Sequence, residues 1–523
     1  MAPRTENVTR VPRVWWVGPT TAPVVVGAAN PVGFAVVGVV AFAARYALTG
    51  AIENDHFVTF ARAVQLLYGD WPVRNFEDPG FPLSYLLSTV VAALFGPSLF
   101  VNVLLCVLLL AITSALTYLL TVRATASQTI AAVAAALTVI VYPRLYNATK
   151  VIVPVVAMWL AWRYADAPRP RRLFALALWT AVAFLLRHDY LVYVALGNIV
   201  LLAACHGRVP RDAALWLASY GTLVVLLCLP WLLYVQRYEG LSAYVASAVQ
   251  FTAAEGRRTA TGAVPSLFLA FLSIPVVGAI ASFKRGMYLS RGQLASAAVM
   301  LASLDVVFLR DVLAARIPDV IAPTAVVAAA TVAHVLPPTA VKRGAAIVAV
   351  VAVLGAAIPM ATRVTLPRPA EVVRRIGDVT QRLRRLSPDI IPTPSLAPLI
   401  GYLTHCTATD DRILVTGFGP EIPVLAHRPF AARLPTWIPG YYEDRADVDR
   451  ALAQLQRERL GAAVFLDGTT VVARSWPALL QAVQARGFEE YSIGLVGPRP
   501  RIWLPHFAAT TRDPATGLPC PAR

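Results

Sequence analysis

Long apolar blocks decide what this chain can fold into. Pro31–Leu48, Leu99–Leu120, Ala213–Tyr234 and Gly344–Ala361 are nearly free of charge. Blocks of about 18–22 residues, coiled as helices, match the thickness of a bilayer's hydrocarbon core. The composition agrees, because 57% of the 523 residues are hydrophobic and only 14% charged. A soluble domain needs more polar surface than that. The sequence therefore specifies a mainly α, polytopic transmembrane helix bundle.

The net charge of +17 has to be placed before it is interpreted. No basic run carries interleaved aromatics, so nucleic acid is set aside as a partner. Lys and Arg instead mark the cytoplasmic side of a membrane protein. Candidate crossings are 31–50, 99–122, 127–142, 150–164, 173–186, 189–205, 212–235, 264–283, 292–308, 318–335 and 344–362. The short apolar stretch Phe81–Phe95 sets the side of everything after it. If it does not cross, Arg4, Arg10, Arg13, Arg123, the Arg163–Arg172 group, Arg208, Arg211, Lys284, Arg285, Arg291, Lys342 and Arg343 share one side. Only Glu6, Asp166 and Asp212 oppose them there. If it crosses, the Arg163–Arg172 group falls outside and the pattern breaks. The stretch is therefore read as interfacial or re-entrant, with about 11 crossings in all.

Three regions follow. Residues 1–30 form a cytoplasmic N-terminal segment without a convincing cleavage site. Residues 31–362 form the transmembrane domain, with a first outer loop at 51–97. Residues 363–523 form a small extracytoplasmic α/β domain. There, Glu371–Leu386 reads as an Arg-rich amphipathic helix, Ile413–Thr416 and Ala462–Leu466 as strands, and Val448–Leu460 and Ala478–Arg486 as helices. Gly417-Phe-Gly419 lacks a third glycine and reads as a tight turn, not a nucleotide loop. Cys106, Cys205 and Cys228 lie in apolar blocks. Cys406 and Cys520 can pair if the tail is extracytoplasmic. No cysteine has metal-ligand spacing.

The first outer loop carries the chemistry. Glu53 and Asp55 leave the first crossing at the membrane face. Phe57, Phe60, Ala61, Val64 and Leu67 then recur at helical spacing, so a helix should lie on the outer surface. A carboxylate at this depth meets the head group of a lipid substrate and can act as general base on a hydroxyl. The competing reading is a solvated loop acid.

The first 240 residues resemble the GT-C class of membrane glycosyltransferases, which includes protein O-mannosyltransferases and bacterial aminoarabinose transferases. The likeness rests on an acid–x–Asp–x–x–x–x–x–Ala–Arg pattern from Glu53 to Arg62, on Gly69-Asp70-Trp71-Pro72, and on Phe81-Pro-Leu-Ser-Tyr-Leu-Leu-Ser. It also resembles bacterial members carrying Arg-His-Asp after the fifth helix. The resemblance implies a GT-C fold, an outward-facing site, a polyprenyl-phosphate sugar donor and Asp55 as catalytic base. It departs from the aminoarabinose enzymes, which have Glu-Lys-Pro where this chain has Glu77-Asp78-Pro79-Gly80. Another base must then meet the phosphate.

Arg144, Lys150 and Arg187 stand at other outer ends and are the candidate donor-phosphate ligands, since cations oppose a phosphodiester. Snorkelling, or an internal Arg187–Asp189 pair, is the competing reading. His56, Asp78, His188, Asp189 and Arg237 are candidate supporting residues. Arg237-Tyr238-Glu239 opens an outer loop closed by Glu255-Gly-Arg257-Arg258. Asp305 lies in an apolar block and needs a partner such as Arg310. The expected function is transfer of a sugar from a polyprenyl-phosphate donor to a lipid, glycan or protein acceptor of the cell envelope at the plasma membrane. No cofactor is required, although Glu53, Asp55, Glu77 and Asp78 offer oxygen ligands to a divalent metal. The alternatives are a lipid-linked saccharide transporter and a non-catalytic scaffold.

Overall fold

The computed structural model describes residues 31–259, 265–284, 289–306, 317–337, 339, 344, 368–387, 389–492, 500–507 and 510–521. The N-terminal segment, nearly all of the candidate crossing 344–362, and Arg310, Asp311 and Arg316 lie outside the described residues.

The chain is mainly helical, with a small mixed sheet near its end. The first part runs α1 (Pro31–Ala47), α2 (Asn54–Leu67), α3 (Pro82–Phe95), α4 (Leu99–Thr125), α5 (Gln128–Ile140), α6 (Ala148–Asp166), α7 (Pro170–Leu186), α8 (Tyr190–His206), α9 (Pro210–Tyr238), α10 (Leu241–Thr259), α11 (Pro265–Ala281), α12 (Arg291–Asp305) and α13 (Ile317–Val335). Four segments among the described residues are long and apolar enough to cross a membrane: Leu99–Thr125, Leu145–Asp166, Pro210–Tyr238 and Ile317–Val335. Shorter apolar helices, including α1, α3, α5 and α8, accompany them. Several long apolar helices in one chain suggest a multi-pass membrane protein.

Local chemistry explains where these helices begin. The Ser98 and Ser127 hydroxyls accept from the backbone N–H groups of Val101 and Ile130, capping α4 and α5. Ser290 and Gln293 form a reciprocal capping box at α12. Proline opens α3, α7 and α9, where its missing N–H is not needed. Between helices, small polar side chains pair inside the apolar core. Ser114 meets Thr138 at 2.6 Å, and Thr180 and Asn198 both meet the Tyr220 hydroxyl, at 2.7 and 3.1 Å. Such pairs hold helices together where lipid supplies no hydrophobic drive.

The tail begins with α14 (Pro369–Arg385) and α15 (Ala397–Cys406). It continues with β1 (Arg412–Thr416), α16 (Glu421–Leu425), α17 (Arg445–Leu455), β2 (Leu460–Phe465), α18 (Thr469–Ser475), α19 (Pro477–Gln484), β3 (Phe488–Ser492), β4 (Arg501–Pro505), β5 (Thr510–Arg512) and β6 (Pro519–Pro521). Its sheet has the order β1-β2-β4-β3, with β1 and β2 parallel and the other pairs antiparallel. β5 and β6 form a separate hairpin, and Cys520 of β6 is disulfide-bonded to Cys406 at the end of α15.

Several elements differ from the sequence reading, which named neither the helices α15, α16 and α18 nor the strands β3, β4, β5 and β6. Residues 456–460, expected at the end of a helix, leave α17, and Leu460 begins β2. The loop expected after Arg237 is largely α10, which packs against the tail. Phe251 lies 5.3 Å from Tyr441, and Gln250 donates to Asp444 at 3.3 Å. Ser242, Ala243, Ala246, Ser247 and Ala248 are compatible with a helix, but they carry too little periodic apolarity to announce one.

Candidate functional site

Glu53 ends the extended approach to α2 with φ −76° and ψ 148°. Asp55 then falls in the first helical turn and is exposed. Helix N-termini favour such carboxylates. Beneath them α2 turns His56, Phe57, Phe60, Ala61 and Val64 inward. His56 is therefore core, packed edge-on to Phe57, and burial pushes it down to about 4. It does not face the acids' solvent side.

The segment after α5 supplies the cations. Arg45 donates to the Pro143 carbonyl at 2.5 Å, and the Tyr142 hydroxyl donates to the Leu48 carbonyl at 3.1 Å. These contacts fix 142–147 against the end of α1. Arg144 then reaches Glu53 at 3.2 Å and donates to the Tyr146 hydroxyl at 2.7 Å. Lys150, one turn on, lies 5.5 Å from the centre of the Tyr146 ring. Partial burial raises Glu53 above the usual carboxylate range. Arg144 opposes this, while Asp55 and Asp319 add to it. Arg144, expected at the donor phosphate, is thus already paired with a loop acid. An exposed pair of this kind contributes roughly 0–1 kcal/mol and exchanges partners readily.

Arg187 and Asp189 form an internal ion pair at 2.8 Å. Burial alone would lower Arg187, but the charge and hydrogen bond of Asp189, together with Tyr190 and Tyr193, outweigh it and hold the guanidinium above its ordinary value. Arg187 also lies 5.9 Å from the centre of the Tyr190 ring. Asp319, at the start of α13, joins the two groups. It accepts from Asn147 at 2.7 Å and acts electrostatically on both Glu53 and Tyr190. The structure therefore brings Glu53, Asp55, Arg144, Lys150, Arg187 and Asp189 into one polar region at the ends of α1, α6, α7 and α13.

Asp78 and His188 belong to a second network. Asp78 accepts from the backbone N–H groups of Gly80 and Phe81, both at 3.2 Å, and from the Tyr244 hydroxyl of α10. That hydroxyl lies 3.3 Å from His188 Nε2. His188 stacks on Phe184 and donates its backbone N–H to the Gly80 carbonyl at 3.0 Å. Gly80 has φ +94°, and a Cβ there would lie 3.0 Å from the His188 ring. Burial lowers His188 against the pull of Asp78 and Asp189. This network is buttressing beneath the loop. Arg237 stands apart from both networks, exposed beside Tyr238.

Sequence reasoning missed Tyr244 and Glu421. Neither lies in a motif; Tyr244 meets Asp78 across 166 residues of chain and Glu421 meets Asn54 across 367. Among the described residues, no three His, Cys, Asp or Glu side chains come together to hold a metal ion. The oxygens of Glu53, Asp55, Glu77 and Asp78 do not form such a set. No protein family matches the chain, and no curated protein matches it.

Proposed function

We propose that this protein is a membrane glycosyltransferase of GT-C type. It moves a sugar from a polyprenyl-phosphate donor to an envelope acceptor on the outer face of the plasma membrane. One observation carries the reading: the exposed Asp55 carboxylate is set in the first turn of the otherwise largely buried α2, within a region that also holds Arg144, Lys150 and Arg187. A carboxylate beside several cations suits deprotonation of a hydroxyl next to a departing phosphate. The one-sided Lys and Arg distribution supports a cytoplasmic N-terminus and an outward loop and tail.

The reaction is a single displacement. The acceptor oxygen attacks the anomeric carbon as an Asp55 oxygen takes its proton. The bond between that carbon and the phosphate oxygen breaks, and the electron pair leaves with polyprenyl phosphate. Configuration at the anomeric carbon inverts. Lys150 and Arg187 oppose the charge that grows on the phosphate. Glu53 holds Arg144 in place and keeps it beside Asp55.

The test uses the full chain in lipid nanodiscs with a panel of polyprenyl-phosphate hexoses and pentoses and envelope extracts as acceptors. Release of free polyprenyl phosphate is measured. The proposal expects release with at least one donor. Binding of donors without release from any of them points to a transporter of lipid-linked saccharides, and failure to bind any donor rejects both readings.

A further inference from the structure

The tail reaches the acid pair through one side chain. Asn54 sits between Glu53 and Asp55 in the chain. Its amide nitrogen lies 3.2 and 3.3 Å from the two Glu421 carboxylate oxygens and 3.4 Å from the Phe418 carbonyl. Glu421 is fully buried at the start of α16. Its surroundings are rigid. Gly417 has φ +81°, and a Cβ there would lie 2.8 Å from Leu466 Cβ, so only glycine fits the turn. The Gly417 N–H donates to the Trp437 carbonyl at 2.7 Å, and the Thr436 hydroxyl donates to the Gly417 carbonyl. On the other side of the acids, the Ile52 N–H donates to the Ile390 carbonyl at 2.9 Å. The tail thus brackets residues 52–55 from both ends.

We propose that Glu421 is a positioning residue of the transfer site, clamping Asn54 so that Glu53 and Asp55 keep one geometry. The inference rests on the function proposed above. The first turn of a helix frays when nothing holds it, and Asp55 lies in that turn. An amide at position 54 can donate to a carboxylate without adding charge, whereas a third acid there would face Glu421 with like charge. The tail then completes the active site instead of merely following it. Burial pushes Glu421 up to about 7, against hydrogen bonds from its own backbone, Thr393 and Asn54, so the clamp works at close quarters in a dry site.

The experiment compares Glu421→Ala, Glu421→Gln, Asn54→Ala and the double variant Glu421→Ala/Asn54→Ala in the full chain in nanodiscs. Hydrogen–deuterium exchange of the peptide covering residues 51–60 should rise in both alanine variants. It should rise no further in the double variant. Glu421→Gln keeps an oxygen that accepts from Asn54 and should stay near wild type. Turnover should fall roughly 10–100-fold in each alanine variant, as expected for a displaced catalytic group, with KM for the donor unchanged and no additional loss in the double variant. Wild-type exchange in Glu421→Ala, or losses that multiply, overturns the inference. If Glu421→Ala does not fold, Asn54→Ala decides by the same measures, since it alters only the loop side. If the wild-type chain transfers no sugar, the proposed function falls, and the exchange data alone decide the clamp.

Discussion

The Asp70 carboxylate and the Arg412 guanidinium meet at two points, 2.6 and 3.2 Å, across 342 residues of chain. Gln65 reinforces the contact. It donates to Asp70 at 2.6 Å and exchanges hydrogen bonds with the Phe430 backbone at 3.1 and 3.0 Å. The Gly69-Asp70-Trp71-Pro72 motif is therefore a dock for the tail. Arg412 also faces the buried Glu458 carboxylate at 3.5 Å. Losing Arg412 therefore strands two carboxylates and costs on the order of 3–5 kcal/mol, whereas losing Asp70 leaves Arg412 one partner and costs less. Asp70→Ala and Arg412→Ala should each lower the melting temperature and speed proteolytic release of the tail. Unchanged melting in both variants would show that the pair does not hold the domains.

The same interface should be sensitive to pH. Removal from water, with Asp447 and Glu239 nearby, pushes Glu77 up to about 8 against Arg62 and Arg433. Glu421 rises to about 7. Both values exceed the ordinary 4.5 for glutamate, so the folded state holds these protons more tightly than the unfolded chain. Their contribution to stability is complete below about pH 4.5 and is lost as pH rises through about 7 and then about 8. Tail docking, followed by proteolysis, should weaken over that range. Glu77→Gln and Glu421→Gln should flatten the profile. Docking that strengthens as pH rises contradicts this account.

Much of the helical part was legible because a bilayer demands long apolar helices and the sequence supplies them as blocks. Two of the tail's strands, β1 and β2, were legible from short apolar runs such as Ile413–Thr416, whereas β3, β4, β5 and β6 were not read. The polar region was legible only in pieces. Glu53 and Asp55 stand together in sequence, but Arg144 meets them through folding, and the pairing of Arg187 with Asp189 was one of two open readings. Docking of the tail was invisible, since Asp70 and Arg412 carry no pattern that names each other. Tyr244 was hidden in α10, which was read as loop.

Donor binding should depend on the cations. Lys150→Ala should weaken binding of polyprenyl phosphate by about 1.5–3 kcal/mol, the range for a hydrogen bond to a charged group. Arg187→Ala leaves Asp189 without its partner, so the informative variant is Arg187→Ala/Asp189→Asn, which should weaken binding to a similar degree. Calorimetry or native mass spectrometry with polyprenyl phosphate measures both. Unchanged affinity in both variants would remove these residues from the phosphate site.

The Cys406–Cys520 bond tests the side of the tail. Protein from cells, denatured without reductant, should expose the thiols of Cys106, Cys205 and Cys228 alone. Reduction should add Cys406 and Cys520. A reporter active only outside the cytoplasm should work when fused after Arg523. Five reactive thiols before reduction, together with a silent reporter, would place the tail inside.

The most direct test is the turnover of Asp55→Asn. This change keeps the shape of an exposed side chain and removes its basic oxygen. General-base assistance is typically worth about 10²–10⁴-fold in rate. Release of polyprenyl phosphate should fall by that range, with donor affinity and expression unchanged, and Glu53→Gln should cost less. Turnover by Asp55→Asn equal to wild type would contradict the catalytic reading of the first outer loop.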